Sequence, residues 1–271
     1  MYNSIRSLEA IIKSTSSLGS LSTDLLHKIL FCSFAKAGLS LFGATNNQKA
    51  ELEKLAKAIP APYQGLLSGR LYLGALKFIR SLNDFLSKDN RAVILEEANL
   101  QFVLSFLRER VGKVGGVVVL DCGSIPELSA IASKFIYFNR NVTVYDRVFV
   151  NPIGMTRFLT EQLIYFDRET TLKYYAELLK NELEAKFSVK ISTIDLVVHQ
   201  RGVTVSNFLS SLDMGRIFEQ INRLAKRDSV LVTADHGYDL VADEHGLFVT
   251  HGYKEKCPLN FSRIALFLVI D

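Results

Sequence analysis

The sequence predicts an α/β fold: a mostly parallel sheet with helices on both faces, preceded by an all-helical N-terminal domain. From residue 113 onward, short apolar runs rich in valine alternate with helical segments. This alternation is typical of a parallel sheet whose strands are buried on both faces. Before residue 113 the apolar residues recur at helical spacing. We therefore predict a helical domain over residues 1–112 and an α/β domain over residues 113–271.

The N-terminal part shows a succession of amphipathic patterns. Ser22 and Asn46 are predicted to cap helices, and Pro60 to end one. No catalytic constellation occurs here, and His27 is interpreted as a packed or surface residue. The predicted apolar faces lie in residues 8–12, 25–29, 52–56, 71–86 and 93–107.

In the second part, glycines at positions 112, 115 and 116 mark a change of pattern. The predicted strands are residues 117–120, 141–145, 193–198, 230–233 and 264–269. The predicted helical segments are residues 126–138, 156–187 and 206–225. Asp195 is a polar exception inside the third predicted strand. Chemistry in such sheets gathers beyond the carboxyl ends of the strands.

Composition excludes several classes of protein. Of the 271 residues, 48% are hydrophobic and 22% are charged, so the chain can bury a sizeable core and is not disordered. The longest near-continuous apolar run, residues 264–270, is far shorter than the roughly 18–20 residues of a membrane span. Three widely spaced cysteines form no CxxC pair, which argues against a disulfide framework or zinc knuckle. We expect a cytoplasmic protein without a membrane partner.

The positive charge is concentrated in the predicted helical domain. The net charge is +4, with 14 basic and 9 acidic residues (net +5) in residues 1–112, and 18 and 19 (net −1) in residues 113–271. A modest excess of this kind is weak evidence for nucleic-acid binding, and a solvated helical surface also accounts for it.

Candidate metal ligands follow the predicted strands. Asp121 follows the first strand, His199 ends the third, and Asp235-His236 follow the fourth. His251 comes shortly afterwards, between a threonine and a glycine. Carboxylates and imidazoles brought to one rim are how proteins build divalent metal sites. Taken singly, Asp121 is also explained as a helix cap and His199 as a core or rim histidine.

These residues resemble a known family. The segment Val230–Tyr238 resembles the metal-binding signature of the alkaline phosphatase superfamily, and is most similar to the PglZ-type proteins of phage-defence systems. Thr250-His251-Gly252 matches the closing histidine motif, and the resemblance covers about residues 113–271. It implies an alkaline-phosphatase-like fold and one or two zinc ions, or manganese in their place. The implied ligands are Asp121, Asp235, His236, His251 and His199.

The resemblance also implies a nucleophile, which in this superfamily is a Thr or Ser after the second strand. Thr156 is the match, and the adjacent Arg157 is implied to hold an anionic substrate oxygen. Thr156 lies four residues after Pro152, one more than the usual spacing. A helix N-cap is the other interpretation of Thr156.

The sequence departs from the family at the second metal. After His199 no carboxylate occurs until Asp213, which we interpret as a helix residue. Loss of one metal would weaken a clamp that stabilises both the attacking and the leaving oxygen. Asn207 and His245 are the other residues considered as neighbours of His251.

Our hypothesis is a metal-dependent hydrolase of phosphomonoesters or phosphodiesters. Thr156 attacks phosphorus, and water then hydrolyses the phosphothreonine. The expected partners are a phosphorylated small molecule or nucleic acid, and a protein bound through the helical domain. The alternative is a catalytically degenerate interaction module in a defence or nucleic-acid-associated complex. A sulfatase is disfavoured because Cys122 is misplaced for the modified nucleophile, whereas a metal-dependent mutase fits the same ligands.

Overall fold

The computed structural model describes residues 1–86, 96–163, 168–200, 203–252 and 257–271. The N-terminal region is helical, as predicted, and the start of its last predicted apolar face, at residue 93, lies outside the described residues. Its helices are α1 (Tyr2–Ser16), α2 (Thr23–Phe42), α3 (Asn46–Lys57), α4 (Ala61–Gln64), α5 (Arg70–Leu86) and α6 (Leu100–Arg110), with a 3-10 turn at Gly65–Leu67.

Local sequence explains where these helices begin and end. The Ser22 hydroxyl accepts a hydrogen bond from the backbone N–H of Leu25 and caps α2. Gly43 ends α2 in the left-handed conformation, with φ 90°. The cap of α3 is Thr45 rather than the predicted Asn46, because Thr45 and Gln48 form a reciprocal capping box.

The rest of the chain alternates strands and helices. The strands are β1 (Gly116–Leu120), β2 (Val142–Val144), β3 (Phe149–Val150), β4 (Phe187–Ile191), β5 (Val230–Ala234), β6 (Asp239–Asp243), β7 (Gly246–Thr250), β8 (Leu259–Asn260), β9 (Ile264–Ala265) and β10 (Leu268–Ile270). The helices are α7 (Ile125–Tyr137), α8 (Thr156–Gln162), α9 (Arg168–Glu182), α10 (Thr193–Val198), α11 (Val205–Ser211) and α12 (Met214–Ala225), with a 3-10 turn at Phe261–Arg263.

The main sheet has five strands in the order β2-β10-β5-β1-β4. Strand β1 pairs parallel with β4 and β5, whereas β10 pairs antiparallel with β5 and β2. Four of the strands therefore run in one direction and β10 runs against them. The protein therefore has an α/β architecture with a mixed sheet and a helical N-terminal region. The alkaline-phosphatase-like topology stays a prediction.

The third predicted strand is wrong. Residues 193–198 form helix α10, and the strand that pairs with β1 is β4, which ends at Ile191. Within α10, Ile194, Val197 and Val198 are buried and Leu196 is 68% exposed. This is the spacing of a helix face rather than the alternation of a strand. The apolar composition of so short a run is misleading, because it suits both structures.

Two predicted helical segments are interrupted, and two small sheets, one of them the antiparallel pair of β3 and β9, are absent from the prediction. The segment 156–187 comprises α8 and α9, its last residue lies in β4, and residues 164–167 lie outside the described residues. The segment 206–225 divides into α11 and α12, because Asp213 caps α12 by accepting from the N–H of Arg216. Strands β6, β7 and β8 form an antiparallel sheet that local pattern does not predict, and the last predicted strand divides into β9 and β10.

The helical region shares a hydrophobic core with the α/β part. Helices α1 and α2 lie against α7, where the hydroxyls of Thr15 and Ser133 are 2.7 Å apart. Nearby, the Lys134 ammonium donates to the carbonyl of Gly19 at 2.7 Å. Buried contacts such as these join the residues before position 112 to those after it. The domain boundary at residue 112 therefore stays a prediction from the sequence.

One described helix, α2, is long and apolar enough to cross a membrane by length and composition. A search for unbroken apolar runs misses it because Lys28 and Lys36 interrupt its apolar residues. About two thirds (67%) of its apolar window is buried within the protein, as expected of a core helix, so its hydropathy is weak evidence for a span. A cytoplasmic location stays a prediction.

Candidate metal centre

Neighbouring parallel strands bring the first ligand group together. Asp121 directly follows β1, and Asp235 and His236 directly follow β5. The strands are in register, with Leu120 opposite Ala234. The candidate ligand atoms of Asp121, Asp235 and His236 lie within 4.8 Å of one another, and all three side chains are buried. We call these three residues group A.

Hydrogen bonds orient the side chains of group A. The Nδ1 atom of His236 lies 2.8 Å from the carbonyl oxygen of Gly237. Because a carbonyl only accepts, this contact is a hydrogen bond when Nδ1 carries the proton, which is the tautomer that leaves the Nε2 lone pair for a metal. This Nε2 lies 3.2 Å from Asp235 Oδ2, and Asp235 Oδ1 accepts from the N–H of Cys122 at 3.3 Å.

The structure brings Thr156 to group A. Its hydroxyl donates to Asp235 Oδ2 at 2.8 Å and lies 3.3 Å from His236 Nε2. Asn151 holds the preceding turn, donating from Nδ2 to the carbonyls of Met155 (2.9 Å) and Asp235 (3.3 Å). Helix α8 has Met155 at its N-cap position, so Thr156 is the first helical residue and not the cap.

Arg157 lies beside the same cleft but is paired elsewhere. Its Nε donates to Glu161 Oε1 at 2.8 Å, one turn later on α8, and its side chain is 61% exposed. The structure therefore places this guanidinium at the solvent side of the cleft, where the predicted contact with a substrate oxygen competes with the Glu161 pair.

A second ligand group lies next to the first. The candidate ligand atoms of Asp195, His199 and His251 lie within 4.8 Å of one another, and we call these residues group B. The two Nε2 atoms of His199 and His251 are 3.0 Å apart. Asp195 Oδ1 lies 3.1 Å from His199 Nε2. The buried Nδ1 of His251 is without a hydrogen-bond partner among the described residues.

Asp195 is a candidate ligand that the sequence pattern does not reveal. In the sequence it is a polar exception inside a predicted strand, whereas in the structure it lies one helical turn before His199, the C-cap residue that directly follows α10. Residues four apart on a helix share a face. The Asp195–His199 spacing is therefore a usable signal, but only once residues 193–198 are correctly assigned as helix.

Group B and Asp121 of group A line one cleft, and His236 lies behind it. The ring centroids of His236 and His251 are 5.4 Å apart. The N–H of Gly252 donates to the carbonyl of Gly154 at 2.8 Å, which joins the His251 loop to the turn before Thr156. The cleft has a volume of about 230 Å³ and is lined by Asp121, Met155, Thr156, Arg157, Leu172, Lys190, Asp195, His199 and His251.

Electrostatics at the cleft favour a bound cation. Burial, followed by the charges of Asp235 and Asp195, raises the pKa of Asp121 to about 6, although Lys190 acts in the opposite direction. Burial also raises the pKa of Asp195. Burial and the neighbouring His236 and His199 lower the pKa of His251 to about 4, so its imidazole is neutral and able to ligate a metal.

The donor set fits divalent metals. Each group offers carboxylate and imidazole ligands on different elements, as zinc and manganese sites do. The arrangement is compatible with a metal in each group, whereas zinc in particular stays a prediction.

Two other residues weighed from the sequence lie elsewhere. His245 is exposed, and its backbone N–H donates to Asp243 Oδ1 in the β6–β7 turn. Asp213 caps α12.

Helix α2 supports the loop that carries group A. Glu127 Oε1 accepts from the Tyr238 hydroxyl at 2.6 Å and lies 2.5 Å from His27 Nε2. All three side chains are buried. His27 is therefore a packed residue, and it connects the helical region to the residues that follow His236.

No protein-family model matches this chain, and no curated protein was found to match it. The resemblance to the alkaline phosphatase superfamily accordingly rests on the residues named above.

Proposed function

We propose that the protein is a metal-dependent phosphoester hydrolase of the alkaline phosphatase type, with Thr156 as nucleophile. The observation that supports this most strongly is the position of the Thr156 hydroxyl, 2.8 Å from Asp235 in group A. The cleft that Thr156 lines is also lined by the residues of group B.

In this proposal the residues of group A and those of group B each hold one divalent metal. Bound there, the metals supply Lewis acidity, which stabilises attacking and leaving oxygens in phosphoryl transfer. Zinc suits the mixture of histidine and carboxylate ligands, and manganese is the alternative.

The chain's own residues position the nucleophile and handle its proton. Asp235 Oδ2 already accepts the hydrogen bond from Thr156 and is the nearest base for its proton. A bond then forms between Thr156 Oγ1 and phosphorus, and the bond from phosphorus to the leaving alcohol breaks, with a proton passing to that alcohol. Water subsequently attacks the phosphorylated Thr156, which restores its hydroxyl and releases phosphate from a monoester substrate or a phosphomonoester from a diester substrate. Burial of Asp235 and His236 strengthens the electrostatic interactions at the nucleophile.

The alternative of a degenerate interaction module depends on the missing second carboxylate. Asp195 supplies a carboxylate to group B. No contact among the described residues favours an interaction module over a hydrolase. We therefore propose the hydrolase.

Metal content is the first test. We expect about two zinc or manganese ions per chain by elemental analysis, and about one in Asp235→Ala, which removes a group A ligand. His245→Ala is the matched control, since this exposed histidine belongs to neither group. A chain that takes up no zinc or manganese after soaking contradicts the proposal.

Hydrolysis is the second test, with 4-nitrophenyl phosphate and bis(4-nitrophenyl) phosphate as substrates. Thr156→Ala should lower kcat by more than about a thousandfold, as removal of a nucleophile does. Thr156→Ser should retain activity, because it keeps a hydroxyl. Mass spectrometry of acid-quenched protein should locate a phosphoryl group on Thr156. Undiminished turnover by Thr156→Ala would show that the nucleophile is wrongly assigned.

A further inference from the structure

Lys190 is a cation of the cleft that the proposed chemistry does not yet use. It lies on β4, opposite Val119 of β1. Its Nζ atom is 3.2 Å from Asp121 Oδ2. The next residue, Ile191, accepts a backbone hydrogen bond from the N–H of Asp121 at 2.9 Å. Strand pairing therefore fixes the Lys190 side chain beside group A.

The ammonium group of Lys190 has donors to spare on the side of the cleft. An ammonium carries three N–H donors, and Asp121 uses one of them. The side chain is 31% exposed and lines the same cleft as Thr156. Among the described residues that line the cleft, the other lysine or arginine is Arg157, which is paired with Glu161 and largely in solvent.

We infer that Lys190 binds a non-bridging oxygen of the substrate's phosphoryl group. This rests on the proposed function, since it assigns the anion in the cleft to a phosphoryl group. A phosphoryl anion entering the cleft meets the carboxylates of Asp121 and Asp195. A fixed cation among them offsets that repulsion and donates a charge-assisted hydrogen bond. Asp121 orients the ammonium while its remaining donors bind the anion.

The competing role for Lys190 is that of a counter-ion which only holds Asp121 in place. The two roles differ in what a substitution disturbs. A residue that positions Asp121 affects metal binding first. A residue that binds the phosphoryl oxygen affects anion affinity and leaves metal affinity intact or increased, because a positive charge next to the ligands has been removed.

The experiment measures zinc affinity by chelator competition, and inorganic phosphate affinity of the zinc-loaded protein by calorimetry. The variants are Lys190→Met, which keeps the aliphatic stem, and Lys190→Arg, which keeps the charge. The matched control is Lys186→Met, on the same segment of chain, where the ammonium pairs with the outer residue Asp228. All measurements use the full chain.

We expect Lys190→Met to weaken phosphate binding by about ten- to a hundredfold, the usual effect of losing a hydrogen bond to a charged group. Zinc affinity should be unchanged or tighter. Lys190→Arg should restore part of the phosphate affinity, and Lys186→Met should match the wild type. The inference is overturned if the wild type binds no phosphate, if Lys190→Met binds it normally, or if zinc affinity is lost along with phosphate affinity.

Phosphate binding requires no turnover, which separates this inference from the proposed function. Phosphate binding that depends on Lys190, in a protein that cleaves no phosphoester, would support the inference and contradict the hydrolase. Normal hydrolysis together with normal phosphate binding by Lys190→Met would support the hydrolase and contradict the inference about Lys190.

Discussion

The substitution Asp121→Asn should change the stability of the protein in opposite directions with and without metal. In the presence of a chelator, the wild type must bury an ionised Asp121 near Asp235 and Asp195 at neutral pH. The asparagine of the variant keeps a similar shape and an oxygen for Lys190, but carries no charge. With metal present, the wild type gains the binding energy of a ligand set that the variant lacks.

The raised pKa of Asp121 sets the size of the effect in chelator. The pKa rises from its ordinary 3.8 to about 6, a difference of about 2. At about 1.4 kcal/mol for each pKa unit, ionisation lowers the free energy of unfolding by up to about 3 kcal/mol. Because the folded-state pKa is raised, this loss is absent below 3.8, develops as the pH rises toward 6, and is complete above it. The variant avoids the loss.

Metal reverses the order of stabilities. A ligand at about 1,000 times its Kd stabilises the folded state by about 4.1 kcal/mol, which exceeds the loss of about 3 kcal/mol. In chelator at pH about 8, we therefore expect the free energy of unfolding of Asp121→Asn to exceed that of the wild type by up to about 3 kcal/mol. In excess zinc, it should fall below that of the wild type.

Urea denaturation at pH about 4 and about 8, with chelator or zinc, measures both effects. Asp228→Asn is the control, because Asp228 is the partner of Lys186 and belongs to neither ligand group. The reasoning is refuted if Asp121→Asn destabilises the chelated protein at the higher pH, or if zinc stabilises the variant as much as the wild type.

Three further predictions concern single side chains. Asp195→Asn should lower the metal content from about two ions per chain to about one. Elemental analysis measures this, with His245→Ala as the control. Retention of both metals would exclude Asp195 as a ligand. Glu97 is buried, which raises its pKa to about 7, so Glu97→Gln should gain stability over the wild type as the pH rises from 4.5 to about 7. The gain is at most about 3.4 kcal/mol by urea denaturation, and a pH-independent difference would refute it. His27→Ala should cost about 1–3 kcal/mol because buried Glu127 loses a hydrogen-bond partner, and adding Glu127→Gln should recover part of that loss in the same assay.

Several features of the fold and the candidate site could be predicted from the sequence, because they depend on local pattern. The valine-rich runs of β1 and β5 are buried on all positions, and each ends where a polar residue begins. Asp121, Asp235 and His236 are therefore recognisable from strand ends alone. Thr156 is found by its resemblance to a family motif, and the structure brings its hydroxyl to Asp235.

The α/β class, the strand-end positions of group A and the preceding helical region can all be predicted from the sequence, because buried strands and helix faces show characteristic spacings of apolar residues. In group B, His199 and His251 are named from the sequence, whereas Asp195 and the association of the three side chains are visible only in the folded protein. Residues 193–198 are too short and too apolar for local pattern to separate helix from strand, and Asp195 reaches the cleft only because they form a helix. The contact of His199 with His251 joins residues 52 positions apart, and Arg157 pairs with Glu161 at the edge of the cleft. Such contacts depend on how the helices and strands pack against one another, and the local spacing of apolar residues does not predict this packing.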